Sequence, residues 1–157
     1  MENYIINYNT IAVIGIDSKS CKIIEKDREL IVNKNSFSVI EDSCLYYGSS
    51  YQGRVDASNV LISNSYKVPI VVENTNNLVF FPTISPNSNL CMWISIDMIF
   101  NNVVDKKTNS CKIIFKNNTE ILTNLSSYSL ENQMLKSYIL HSIMKSRNYL
   151  KKFEERY

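Results

Sequence analysis

Three times along this chain a short run of β-branched and aromatic residues is followed, across a few Asn, Asp, Ser or Lys residues, by a second such run. TIAVIGI (residues 10–16) and CKIIE (21–25) flank Asp17, Ser18, Lys19 and Ser20. VPIVV (68–72) and LVFF (78–81) flank Asn74, Thr75, Asn76 and Asn77, and CKIIF (111–115) and EIL (120–122) flank Asn117 and Asn118. Such pairs read as β-hairpins, because Asn and Asp accept the positive φ angles of tight turns and β-branched residues suit a half-buried pleated surface. ELIV (29–32) extends the first hairpin, and CMWISI (91–96) is a further buried-strand candidate. Pro69 and Pro82 lack a ladder donor and are expected at edges or strand ends. SCKII occurs twice, at residues 20–24 and 110–114. Similar strand requirements explain a five-residue match, and coincidence is the expectation.

Two segments carry helical spacing instead. Phe37, Ile40, Cys44 and Tyr47 recur at three and four, which predicts a helix over 37–47 with Ser36 as N-cap and Gly48 as left-handed terminator. Residues 49–59 are polar and contain Gly53, which costs about 1 kcal/mol relative to Ala inside a helix, so a surface helix and an ordered loop both stay open. The longest helical pattern runs from about 130 to 153, with Ser129 as N-cap and Glu131 in the first turn. Its apolar stripe is read as Leu135, Tyr138, Ile139, Ile143, Leu150 and Phe153, which needs a sheet or a partner subunit to cover it. The expected fold is α+β in one domain over 1–157: an antiparallel, hairpin-built sheet in 1–126, a helix inserted near 37–47, and a long C-terminal helix packed on the sheet.

Composition narrows function mainly by exclusion. A formal net charge of +2 and a pI near 8.3 permit a nucleic-acid partner without demanding one. No stretch approaches a membrane span and the start lacks a basic, then apolar, leader pattern, so a cytoplasmic protein is expected. Cys21, Cys44, Cys91 and Cys111 are widely spaced and the chain has a single histidine, His141, so buried thiols rather than a metal site are expected. Ser49 or Ser50 with His141 and Asp42 is the best catalytic set available, and it lacks the glycine elbow of a GxSxG nucleophile. No GxGxxG, GxxxxGK or HExxH pattern occurs. Neither an enzyme nor a cofactor is expected.

The segment GSSYQGR (48–54) is the most informative polar run. Ser49, Ser50, Tyr51, Gln52 and Arg54 are residue types that contact phosphates or enter a minor groove, whose negative potential deepens where A·T tracts narrow it. Read on spacing alone, it is a polar loop in which Gly48 caps a helix and Arg54 is a solvated charge.

SCKIIEKD (20–27), SCLYYGSSYQGR (43–54), KVPIVV (67–72), FFPT (80–83) and SYSLENQ (127–133) resemble, in the same order, segments of the competence transcription factor (ComK) family. The resemblance implies a regulator that activates DNA-uptake genes by binding double-stranded A/T-rich promoter boxes, largely through the minor groove, as a homodimer or dimer of dimers. No enzyme activity or cofactor comes with it. With it, DNA contacts are expected at Ser49, Ser50, Tyr51, Gln52, Arg54 and Lys67; the basic residues Lys145, Arg147, Lys151 and Lys152 of the last helix are read as secondary phosphate contacts, which a solvated helix face explains equally well. The chain departs from the family in carrying Val55 and Asp56 just after the Gly-Arg pair, and it reads as a form with a shortened C-terminus. In the family that tail contributes to activation and to control by adaptor-protease machinery. A different class of role, a regulator that pairs with a related factor or adaptor through Tyr138, Ile139, Ile143 and Tyr149 without activating promoters, predicts an exposed apolar patch on the last helix.

Overall fold

A computed structural model describes residues 1–62 and 67–156. The expected hairpins form, and they are distributed over two antiparallel sheets rather than one. The larger sheet has the strand order β3-β2-β1-β6-β5-β4, built from β1 (Thr10–Gly15), β2 (Cys21–Glu25), β3 (Glu29–Val32), β4 (Ile70–Glu73), β5 (Leu78–Pro82) and β6 (Met92–Ser95). The smaller has the order β7-β8-β9, from β7 (Ile99–Val104), β8 (Cys111–Phe115) and β9 (Glu120–Leu122). A 3₁₀ turn over Ile96–Met98 carries the chain from one sheet to the other. Asn77 and Asn118 hold the positive φ angles the hairpin turns require, 52° and 69°. Pro82 ends its strand, and Pro69 lies just before the edge strand β4.

Strand alternation makes two cores, one on each face of the large sheet. Val13, Ile23, Ile70, Val72, Phe80 and Trp93 point to the face covered by helix α1 (Ser36–Tyr46). Ile24, Val71, Val79, Phe81 and Ile94 point to the opposite face, covered by β8 residues Cys111, Ile113 and Phe115 and by helix α3 (Ser127–Arg156). A second 11-residue helix, α2 (Tyr51–Leu61), touches both cores, with Tyr51 and Val55 against the first and Leu61 against the second. It packs on the edge strand β4. All four cysteines are buried free thiols.

Three local expectations change. Asn35, not Ser36, caps α1, its side chain accepting from Ser38 N at 2.9 Å. Ser126, not Ser129, caps α3, its Oγ accepting from Ser129 N at 3.2 Å, so the helix starts earlier and runs on to Arg156. The third change is larger. The face of α3 that packs on the sheet carries Leu130, Gln133, Ser137 and Leu140, with Met134 and Met144 beside it, whereas of the expected stripe Leu135, Tyr138, Ile139, Leu150 and Phe153 are exposed and Ile143 is half-buried. Gln133 and Ser137 broke the apolar pattern because their polar atoms are satisfied internally: Gln133 Nε2 donates to the carbonyls of Lys67 and Pro82 at 2.8 Å each, and Ser137 Oγ donates to Gln133 O.

The recurrence of SCKII is not coincidence. In β1 and β2, Gly15, Ile14, Val13 and Ala12 face Cys21, Lys22, Ile23 and Ile24, and a bulge then separates Ala12 from Thr10. In β7 and β8, Val104, Val103, Asn102 and Asn101 face Cys111, Lys112, Ile113 and Ile114, and a bulge separates Asn101 from Ile99. The third strands match as well, with Ile24 facing Glu29 and Ile114 facing Glu120. Lys26 N donates to Asn9 O in the first meander as Lys116 N donates to Met98 O in the second. Lys22 pairs with Glu29 and Lys112 with Glu120. Each meander then leads into a capped helix, NSFSV at 35–39 and SSYSL at 126–130, whose Val39 and Leu130 are buried. Shared strand preference accounts for apolar residues, not for a common bulge, a common ion pair and a common cap. The chain contains two copies of one β-β-β-α unit, with α2 and β4–β6 between them.

Candidate nucleic-acid interface

GSSYQGR joins α1 to α2, and the geometry divides its residues into two groups. Tyr47 ends α1, and Gly48 takes φ 97°, a conformation open to glycine, with free space where a Cβ would stand. The connection is short because Ser50 immediately caps α2, its Oγ accepting from Gly53 N at 2.9 Å. That cap resolves the alternative at 49–59 in favour of a helix. A Cβ on Gly53 would lie 2.7 Å from Ser49 Oγ, so a larger residue there would turn that hydroxyl aside.

Outward from this turn stand Ser50 and Gln52, both exposed, with Ser49 half-buried beside them. Ser49 Oγ donates to Ser50 O, and Gln52 Nε2 donates to Asp56 Oδ1 at 2.9 Å. The amides of Tyr51 and Gln52 precede the first backbone bond of the helix, from Arg54 N to Ser50 O, so the positive end of the α2 dipole lies at the same turn as these side chains.

Inward from it stand Tyr51 and Arg54. The Tyr51 ring meets Phe37 edge-on at 5.0 Å and Trp93 at 6.0 Å, and burial raises its phenol to about 12. Tyr51 is therefore a packing residue that anchors α2. Arg54 is half-buried and donates from Nη2 to Tyr47 O at 3.3 Å, while its Nε is buried without a hydrogen-bond partner among the described residues. Its charge opposes the burial that lifts the Cys44 thiol to about 11. Lys67 lies just before β4, and its charge acts against the burial that lifts the Cys91 thiol to about 11. Its carbonyl is tied to Gln133 of α3, and its side chain is half-exposed.

The other expected contacts are elsewhere. Lys145, Arg147, Lys151 and Lys152 are exposed on the last turns of α3. At about 100° per residue Lys145 and Lys152 share one flank and Arg147 and Lys151 the other, so they are not one basic surface. Asn148 between them is tied to the β4–β5 turn through Asn74 O and Asn77 Oδ1. His141 pairs with Asp97 at 3.1 Å, and neither serine of the turn has it as a hydrogen-bond partner. No helix among the described residues is long and apolar enough to cross a membrane. Sequence reasoning missed β7, whose Phe-Asn-Asn-Val-Val lacks clean alternation, and it missed the anchoring role of Tyr51, which only the position of Trp93 reveals.

The competence transcription factor of Bacillus subtilis (strain 168) is 33% identical over 150 residues, covering 94% of this chain and 78% of that protein. No solved structure matches the chain. The family model described as ComK protein matches residues 1–149, a span that includes both β-β-β-α meanders, the α1–α2 turn and most of α3, and the chain therefore belongs to the ComK family.

Proposed function

We propose that this chain is a transcription regulator of competence genes that binds A/T-rich double-stranded DNA through the minor groove, acting in the cytoplasm as a homodimer or dimer of dimers. The observation that carries the proposal is the family match across residues 1–149, made with a relative named a competence transcription factor. Within the fold, the turn between α1 and α2 is the best-supported contact. Ser49, Ser50 and Gln52 offer hydroxyl and amide groups beside the N-terminus of α2, where backbone N–H groups and the helix dipole favour a phosphate. Lys67, just before β4, is a separate candidate for a phosphate contact. Arg54 and Tyr51 act by holding the turn: the guanidinium bridges to Tyr47 O and the ring anchors α2 on Trp93. Activity requires no cofactor in this reading.

The test is a gel shift with an A/T-box duplex against a G·C-substituted control, repeated with a minor-groove-binding drug and across a salt series. A/T preference, displacement by the drug and a log-log salt slope of about −0.9 per phosphate neutralised are expected. Equal binding of both duplexes, or indifference to the drug, removes the minor-groove reading.

A further inference from the structure

We infer that the outer face of α3 is a helix-docking surface that pairs antiparallel with the same face of a second copy of this chain; the inference rests on the dimeric reading above and specifies its interface. Two independent features lead to it.

The first is the internal repeat. In the first unit α1 is covered by α2, through the Phe37–Tyr51 ring pair and the Arg54–Tyr47 hydrogen bond. The positions of α3 that correspond to Phe37 and Tyr47 are Tyr128 and Tyr138, and they are 79% and 47% exposed. The second unit thus presents, bare, the surface on which the first unit carries a helix.

The second is the pattern along α3. Leu135, Ile139, Ser142, Ser146, Tyr149 and Phe153 follow one another at spacings of 4, 3, 4, 3 and 4, a seam for pairing with another helix, and all six are exposed. The order of sizes is large, large, small, small, large, large. An antiparallel partner centred between Ser142 and Ser146 sets Leu135 against Phe153, Ile139 against Tyr149, and Ser142 against Ser146 of the second copy. The serines let the helices approach at the two-fold axis, as small residues do at close crossings, while the bulky residues fill both ends. The charges agree with the same register. Glu131 comes opposite Arg156 of the second copy, and Lys136 opposite Glu154, each pair flanking the seam. A parallel pairing sets Glu131 on Glu131 and Arg156 on Arg156.

The full chain tests this directly. The native cysteines are buried, so engineered ones report without background. Sedimentation of the wild type is expected to show a concentration-dependent dimer, and Ile139→Glu a monomer with an unchanged circular-dichroism spectrum. Under mild oxidation a mixture of S142C and S146C chains is expected to form a disulfide-linked dimer, whereas either variant alone forms little. Cross-linking of each variant with itself means a parallel or different interface and overturns the inference. So does a monomeric wild type, or a dimer that Ile139→Glu leaves intact. A wild type that binds the A/T duplex yet sediments as a monomer removes this inference and leaves the DNA reading standing. A cross-linkable dimer that ignores the A/T duplex does the reverse.

Discussion

Arg54 reaches back seven residues to the backbone carbonyl of Tyr47, donating from Nη2 at 3.3 Å, and so closes the turn between α1 and α2 from within. A hydrogen bond from a charged donor contributes about 1.5–3 kcal/mol, and the aliphatic stem adds packing. Arg54→Ala is therefore expected to lower stability on chemical denaturation and to weaken DNA binding together. Gln52→Ala, on the outer side of the same turn, is expected to weaken binding while leaving the denaturation midpoint within about 0.5 kcal/mol of wild type. An Arg54→Ala protein of unchanged stability would place the side chain outside the fold and return it to the groove.

Gln133 is the polar residue at the centre of the α3–sheet contact, bridging Lys67 O and Pro82 O. Gln133→Leu keeps the volume and strands those two carbonyls, so a loss of about 2–6 kcal/mol is expected on urea unfolding, from about 1–3 kcal/mol per unsatisfied group. A neutral Gln133→Leu would mean that water reaches both carbonyls.

Glycine is required at two positions for opposite reasons. A Cβ on Gly15 would overlap the Asn89 carbonyl oxygen, whereas one on Gly48 would meet nothing within 4 Å. Gly48→Ala is expected to cost about 1–2 kcal/mol, the penalty of a left-handed conformation for an L residue. Gly15→Ala must displace backbone between β5 and β6 and is expected to cost more, as overpacking commonly takes about 1–3 kcal/mol and at times exceeds it. Thermal melting of the two variants ranks them.

Tyr4 donates to Glu25 Oε2 at 2.6 Å, and Arg28 Nε donates to the other carboxylate oxygen. Burial pushes the Glu25 carboxyl up, but these hydrogen bonds outweigh it and hold the group below its ordinary value. Its stabilising contribution is then complete above the unfolded carboxylate pKa and is lost as pH falls through the lower folded value. Stability measured from neutral pH downwards should decline over that acidic window. The decline should be shallower in Glu25→Gln, and in Tyr4→Phe the Glu25 titration followed by NMR should move upwards.

The hairpins were legible in the sequence because their signals are local: Asn at the turns, β-branched residues between them, and proline at the ends. Helix α1 was legible within one residue at each end, and Gly48 in its role. What escaped depends on contacts between distant segments. Gln133 and Ser137 look like surface residues until the carbonyls of Lys67, Pro82 and Gln133 itself are seen to occupy them. That is why the stripe assigned to the sheet turned out to face outwards. Tyr51 and Arg54 were grouped with Ser49, Ser50 and Gln52 by adjacency, but a helix starting at Tyr51 turns the first two toward Trp93 and Tyr47 and leaves the others outside. The repeat was visible as five letters, and its register, bulge and ion pair were not.

Duplicating a meander also duplicates its edge. β1 accepts β6 along that edge, while β7, with the same register toward its own neighbour, lies only a 3₁₀ turn away from β6 in the chain and would be the nearer strand to mispair with. The Asn102 amide is already taken by the Asn101 side chain at 2.8 Å, and the strand begins immediately after a turn that points it into the other sheet. Asn101 thereby occupies a donor that the outer edge of β7 would otherwise offer to another strand, which makes the two duplicated edges unequal.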